Sequence, residues 1–220
     1  MNSDRFHTQG LVRISDIPHL AEYHQQRIPG ATENLYLYQD AYVQLQAAVE
    51  YLQEEGTRNL QFGLVVFDGF RPQAVQRHIF ERYVDELQHK HRLDRAEAIM
   101  SARTFVSDPD TVFPHGTGGT VDLTLTVNGR CAWMGTAFDD FTERAHRNWY
   151  TVHPPKLPPD RAARTHRDLL DRAMSHAGFV GLADEWWHYE WGTALWGETT
   201  GQVPVLTNTF SLDEALPEAG

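Results

Sequence analysis

Apolar positions recur at helical spacing in three stretches of the chain and at strand spacing in two. Leu45, Ala48, Val49 and Leu52 fall on one face of a helix that Asp40 is placed to cap and Gly56 to stop. Phe62-Gly-Leu-Val-Val-Phe67 is a short apolar run with paired valines, which predicts a buried strand. The turn Asp68-Gly-Phe-Arg71-Pro72 follows, and Pro72 suits the first position of a second helix with Val75, Ile79, Tyr83 and Leu87 on one face. From about His89 to Pro114 the chain is polar and irregular with some helical content, so it is expected to run as a long excursion over the surface. Val121 to Val127 alternates around Asp122-Leu-Thr-Leu, and Asn128-Gly129 is a strong hairpin signal that turns the chain back along Arg130 to Met134. A proline-rich passage ending at Pro159 leads to Asp160 and a third helix with Leu169, Leu170, Ala173 and Met174, ending at Gly178. Strands and helices do not alternate regularly, so the pattern predicts an α+β fold, with one domain over residues 1–220 and peripheral ends at about 1–30 and 205–220.

Composition narrows the function classes. A net charge of −11 argues against nucleic acid or an anionic membrane surface as the main partner. The first residues, Met-Asn-Ser-Asp-Arg-Phe-His, form no apolar leader, and no run approaches the roughly 18 apolar residues of a membrane helix, so the expectation is a cytoplasmic protein without membrane insertion. Cys131 is the only cysteine, which excludes an internal disulfide and a thiolate cluster within the chain. Any metal would therefore be held by His, Asp and Glu. Cys131 itself lies in the expected hairpin arm with nothing local to activate it, and a structural role is expected.

Two motifs far apart carry the candidate chemistry: His115-Gly-Thr-Gly-Gly-Thr-Val-Asp122 and Glu185-Trp-Trp-His188. Two imidazoles and one carboxylate leave an open position for water on a zinc ion, and a spare carboxylate beside them can take a proton from that water. The glycines between His115 and Asp122 allow the backbone to fold both side chains onto one point. Side chains alternate along a strand, so Glu185 and His188 can face the same site only if the strand begins after Glu185. Arg71 supplies a fixed positive charge for a developing oxyanion, with Asp68 as its orienting partner. Nine further histidines, including His153 and His166, read as surface or locally satisfied residues, and Trp186, Trp187 and Trp191 as core packing or a pocket wall.

The order and approximate spacing of Asp68-Gly-Phe-Arg-Pro72, His115-x-x-Gly-x-x-x-Asp122-Leu-Thr-Leu, Met134-Gly-Thr-Ala-Phe-Asp139, Leu169-Leu-x-x-Ala-Met-x-x-Ala-Gly-Phe179 and Glu185-Trp-Trp-His188 resemble the zinc D-alanyl-D-alanine dipeptidases. These are the VanX-type branch of a peptidase family that also holds zinc D,D-carboxypeptidases. The resemblance covers roughly residues 60 to 192. It implies zinc held by His115, Asp122 and His188, with Glu185 as general base and Arg71 stabilising the tetrahedral intermediate. It also implies Asp139 at the free ammonium of a small peptide substrate, and an α+β domain of the hedgehog and D,D-peptidase kind with a central antiparallel sheet flanked by helices. Two positions depart from the family pattern: Phe113 stands where a serine faces the substrate, removing a donor and adding bulk, and Thr120 replaces an alanine. Close family members also offer a tyrosine toward the substrate, which has no clear equivalent near Ile28-Pro29-Gly30; Tyr36 and Tyr38 are nearby. The expected activity is hydrolysis of D-alanyl-D-alanine or a related short D-peptide. The alternatives are a D,D- or L,D-carboxypeptidase acting on cell-wall peptides, and a zinc-containing binding module without catalysis.

Overall fold

The computed structural model describes residues 10–210. The first elements are β1 (Leu11–Arg13), α1 (Glu22–Gln25), β2 (Tyr36–Tyr38), α2 (Gln39–Glu55), β3 (Phe62–Asp68), α3 (Gln73–His91) and α4 (Arg95–Ala102). There follow β4 (Thr120–Val127), β5 (Arg130–Cys131), α5 (Trp149–Val152), α6 (Pro158–His176), β6 (Val180–Gly181), β7 (His188–Glu190) and α7 (Ala194–Thr200). The fold is α+β around an antiparallel sheet in the order β3-β4-β7-β6, with β5 paired to β4, and β1 pairs with β2 apart from it. Residues 1–9 and 211–220, within the ends expected to be peripheral, lie outside the described residues.

Alternation along β4 separates two environments. Val121, Leu123 and Leu125 enter the main core with Leu64 and Val66, and the apolar stripes of α2 (Ala41, Leu45, Ala48, Leu52) and α6 (Leu169, Leu170, Ala173, Met174) join the same cluster. Each of the Leu, Val and Met side chains among them, fully buried, contributes about 1.5–3 kcal/mol to holding these layers together. The intervening β4 residues, Thr120, Asp122, Thr124 and Thr126, are buried as well. A second cluster joins Val75, Ile79, Phe80, Val84 and Leu87 of α3 to Ala98 and Ala102 of α4, with Tyr23 and Ile28 from the N-terminal region.

Local signals acted close to where expected, with shifts of a residue or two. Asp40 does not cap α2: the N-cap is Tyr38 without a side-chain bond, and Asp40 lies in the first turn, where its charge suits the helix dipole. Pro72 is the N-cap of α3 and not its first residue. Pro158 and Pro159 open α6, so the proline-rich passage enters the helix before Asp160. Asn128 and Gly129, with φ of 50° and 75°, make the hairpin turn, but its return strand is only Arg130–Cys131, leaving Cys131 exposed. The stretch after α4 is not merely a surface excursion, since Phe105, Val106, Ser107 and Phe113 line the candidate site.

Candidate active site

Three neighbouring strands set the centre of the site. Across β3 and β4, Asp68 pairs with Asp122 after an irregularity in β3, and across β4 and β7 Asp122 pairs with His188. Directly opposed residues stand side by side on one sheet face. His115 reaches the same point from the short 3-10 turn Pro114–Thr117, joined to β4 by Gly118 and Gly119. Gly118 has φ +73°, and a Cβ on Gly119 would stand 2.3 Å from the Trp191 carbonyl oxygen. Only glycines let the turn fold back tightly enough to bring His115 over Asp122. A hydrogen bond from the Arg71 amide to the His115 carbonyl, 3.1 Å, ties this turn to the segment after β3.

Candidate ligand atoms of His115, Asp122 and His188 all lie within 4.8 Å of one another, and the three residues are buried. His115 Nε2 stands 3.2 Å from Asp122 Oδ2, and His188 Nδ1 stands 3.1 Å from Asp122 Oδ1. The far ring nitrogens have partners of their own. His115 Nδ1 donates to the Gly69 carbonyl at 2.8 Å, and His188 Nε2 donates to Glu190 Oε1 at 2.9 Å. With their protons on those nitrogens, both imidazoles turn lone pairs toward the Asp122 carboxylate, a contact that is repulsive unless a cation stands between them. Asp122 Oδ1 is buried without a hydrogen-bond partner. A buried carboxylate whose two oxygens each face an imidazole nitrogen, one of them an orphan, fits a divalent cation with oxygen and nitrogen donors.

Without the cation the charges adjust in a coupled way. Burial opposes ionisation of Asp122, but His115 and His188 outweigh it and hold the carboxyl well below the usual carboxylate range. Burial likewise opposes charge on His188, yet its contacts with Asp122 and Glu190 raise the imidazole well above its ordinary value. A cation must therefore displace a proton here.

Glu185 lies just before β7, so the strand begins after it as the alternation argument requires, and its Oε2 stands 3.6 Å from His188 Nδ1. Burial pushes its pKa up to about 7, against the nearby His188 charge. That value suits a group that takes and returns a proton near neutral pH. Trp186 and Trp187 are packed in the main core, and Trp186 Nε1 donates to Thr136 Oγ1 at 2.8 Å, fixing the segment that carries Glu185.

Arg71 is also buried and held on three sides. Nε donates to Asp68 Oδ2 at 2.9 Å, Nη1 to Gln76 Oε1 at 2.7 Å and Nη2 to Tyr23 Oη at 3.3 Å, while Nη2 lies 3.5 Å from Asp122 Oδ2. Burial would lower its pKa, but Tyr23 and the surrounding carboxylates raise it instead, so the guanidinium stays charged. Tyr23 lies beneath it, with Arg71 Cζ 4.7 Å from the ring centroid, and donates onward to Asp139 Oδ1 at 3.3 Å. Asp139 has a left-handed backbone, φ 58°, and follows Phe138, whose ring packs against Tyr23, Phe67 and Trp187. Burial and the Asp122 charge push the Asp139 carboxyl up to about 7.

These groups line a cavity of about 150 Å³. Ile79, Phe105, Val106, Phe113, Phe141 and Leu182 contribute its apolar side. Phe113 is at this wall, but its ring is fully buried and lies over Gly116, packed on the turn that carries His115. Sequence reasoning missed three participants. Tyr23 comes from a short N-terminal helix with no motif of its own. Gln76 looks like an ordinary helix residue. Glu190 had a readable signal, because a residue two positions after His188 in a strand faces the same side.

Two imidazoles, a carboxylate, a perturbed acid and a locked guanidinium gathered at one cavity define the class as a metallohydrolase centre. The family model for D-ala-D-ala dipeptidase, peptidase M15, matches residues 28–206, and the chain belongs to that family. The chain is similar to the D-alanyl-D-alanine dipeptidase of Escherichia coli K12, 30% identical over 176 residues that cover 80% of this chain and 73% of the relative. It is 31% identical to the Synechocystis D-alanyl-D-alanine dipeptidase, covering 60% of this chain and 61% of the relative. For the Streptomyces coelicolor D-alanyl-D-alanine dipeptidase the identity is 34%, covering 62% and 65%. Among solved structures, VanYB in complex with D-Alanine-D-Alanine aligns with a TM-score of 0.47 and 19% identity, covering 71% of this chain and 72% of the other. The VanB-type vancomycin-resistance D,D-pentapeptidase VanY in complex with Zn(II) aligns with a TM-score of 0.49 and 18% identity, covering 78% and 83%.

Proposed function

We propose that this chain is a zinc-dependent dipeptidase that hydrolyses D-alanyl-D-alanine or a related short D-amino-acid peptide, with His115, Asp122 and His188 as the zinc ligands. The observation that carries the reading is the buried Asp122 carboxylate, whose two oxygens each face an imidazole nitrogen and whose Oδ1 has no hydrogen-bond partner among the described residues, in a chain of the D-ala-D-ala dipeptidase family. When bound, zinc supplies a Lewis acid for the scissile carbonyl and a water of lowered pKa.

The chain's own residues do the rest. Glu185, raised to about 7 by burial, takes the proton of the attacking water and returns it to the leaving amine. Arg71, fixed by Asp68, Gln76 and Tyr23, holds its positive charge where the carbonyl oxygen becomes an oxyanion. Asp139 accepts the free ammonium of the peptide, and the salt bridge formed there repays the burial of its charge. Phe113 leaves the substrate side without the hydroxyl that close relatives of the motif carry, so the apolar wall bears more of the fit.

A second reading has one specific observation behind it. A further cavity of about 700 Å³ shares Phe105, Val106, Ser107, Phe141, Leu182 and Glu185 with the first and continues toward Arg103 and His146. That space favours a longer cell-wall peptide, as a carboxypeptidase would take.

One domain spanning the chain is proposed with this function, supported by a main core that draws on residues from Ile14 to Tyr189. Limited proteolysis that separates two stable halves would contradict it. No helix among the described residues is long and apolar enough to cross a membrane. A cytoplasmic location is part of the same proposal, and recovery with membrane or periplasmic fractions would contradict it.

The test of the function is turnover of D-alanyl-D-alanine by chelated and by zinc-restored protein. Activity that disappears on chelation and returns with zinc is expected; activity indifferent to chelation would sink the metal-dependent reading.

A further inference from the structure

Arg71 is held by three partners, and they differ in kind. Asp68 and Tyr23 sit beside the metal-ligand cluster itself, whereas Gln76 comes from the first turn of α3 and is buried to 1% exposure. Its Oε1 accepts from Arg71 Nη1 at 2.7 Å, and its Nε2 donates to the Ser107 carbonyl at 2.7 Å. The amide is thus used at both ends, and its orientation is fixed by chemistry: only the oxygen can face a guanidinium and only the nitrogen a carbonyl. Ser107 lines the cavity between α4 and the turn of His115. The same face of α3 grips this segment twice more, through Gln73 Nε2 to the Pro109 carbonyl at 2.7 Å and through the exposed Arg77–Asp110 pair at 2.6 Å.

We propose that Gln76 is a positioning residue for hydrolysis, joining the Arg71 guanidinium to the cavity wall at Ser107. Removing it frees one edge of the guanidinium, leaves the buried Arg71 Nη1 without its acceptor and lets the charge rotate away from the developing oxyanion. Asp68 and Tyr23 do not replace it, because they hold Nε and Nη2 and leave Nη1 without a partner. The inference rests on the dipeptidase reading for its kinetic consequences but not for its structural one.

The test compares zinc-loaded wild type with Gln76→Met, which keeps the length and loses both polar ends, and Gln76→Glu, which keeps an acceptor for Arg71. With D-alanyl-D-alanine as substrate, Gln76→Met is expected to lower kcat about tenfold or more with KM little changed, and Gln76→Glu, which keeps the acceptor for Arg71 but loses the donor to Ser107, to recover part of that loss. In the Arg71→Ala background, Gln76→Met should add little further loss, since the residue acts through the arginine. Zinc content should be the same in all. Full additivity in the double variant, or an unchanged kcat in Gln76→Met, overturns the proposal. A readout independent of turnover is the ¹⁵N spectrum of the Arg71 guanidinium. Slowly rotating Nη groups are expected in wild type and Gln76→Glu, and fast rotation in Gln76→Met; identical spectra in all three also overturn it. If Gln76→Met fails to fold, the Gln76→Glu spectrum decides: loss of the restrained Nη signals despite a retained acceptor counts against the proposal. If wild type does not cleave the dipeptide, the functional reading fails and the spectra still decide the role of Gln76.

Discussion

His188 and Glu190 sit two positions apart on one face of β7, and Glu190 Oε1 stands 2.9 Å from His188 Nε2. Glu190 is held in turn by the Thr193 hydroxyl, which donates to Oε2. The carboxylate decides which imidazole nitrogen carries the proton, and so which one faces Asp122. Glu190→Ala is therefore expected to weaken zinc binding by about 10–100-fold. Competition with a chelator measures this, and unchanged affinity would show that the His188 orientation comes from elsewhere.

Glu185 stands 3.6 Å from His188 Nδ1, and the proposed mechanism gives it a proton-transfer role and not a ligand role. Glu185→Ala should keep stoichiometric zinc and lose at least about 10²-fold in kcat. Metal analysis and steady-state kinetics on one preparation check both halves, and retained turnover removes Glu185 from the mechanism.

Asp139 yields a prediction about stability and pH in the metal-free protein. Its folded pKa of about 7 lies above the ordinary carboxylate value, so between the two the native state binds the extra proton. The sign follows: its contribution to stability is fully present below the unfolded pKa, about 4, and is lost as pH rises through about 7. Asp139→Asn removes the titration and can keep the Tyr23 bond through its side-chain oxygen. The difference in Tm, variant minus wild type, should grow between pH 5 and pH 8; a difference independent of pH would mean that the carboxyl is not held up by burial.

Thr120 has a buried hydroxyl without a hydrogen-bond partner, at 0% exposure. Such a group costs about 1–3 kcal/mol. Thr120→Val keeps the shape and removes the cost, and is expected to raise Tm by about 2–4 °C for each kcal/mol gained. A lower Tm in a calorimetric scan would point to an unseen partner for this oxygen.

Much of this was readable because periodicity and chemistry coincide. The stripes of α2, α3 and α6 and the alternation of β4 locate the core, and β4 carries Asp122 on the face opposite Leu123. The bend before β7 followed from one parity argument about Glu185 and His188. Tyr23, Gln76 and the lining by Phe105 and Ser107 were not readable, because each depends on which segments meet in space. A four-residue helix and a polar stretch carry no periodic signal for that. Phe113 illustrates a different limit: its identity suggested bulk in the pocket, and only the fold shows the ring packed on Gly116.

The most direct test of the central claim is a peptide panel with zinc-loaded protein: D-alanyl-D-alanine, L-alanyl-L-alanine and N-acetyl-D-alanyl-D-alanine, with chelated protein as control. The proposed contact of Asp139 with the free ammonium predicts that the acetylated peptide is left intact, and the dipeptidase reading predicts cleavage of D-alanyl-D-alanine and not of the L-peptide. Cleavage of the acetylated peptide would contradict the dipeptidase assignment in favour of a carboxypeptidase, and no cleavage at full zinc occupancy would contradict catalysis altogether.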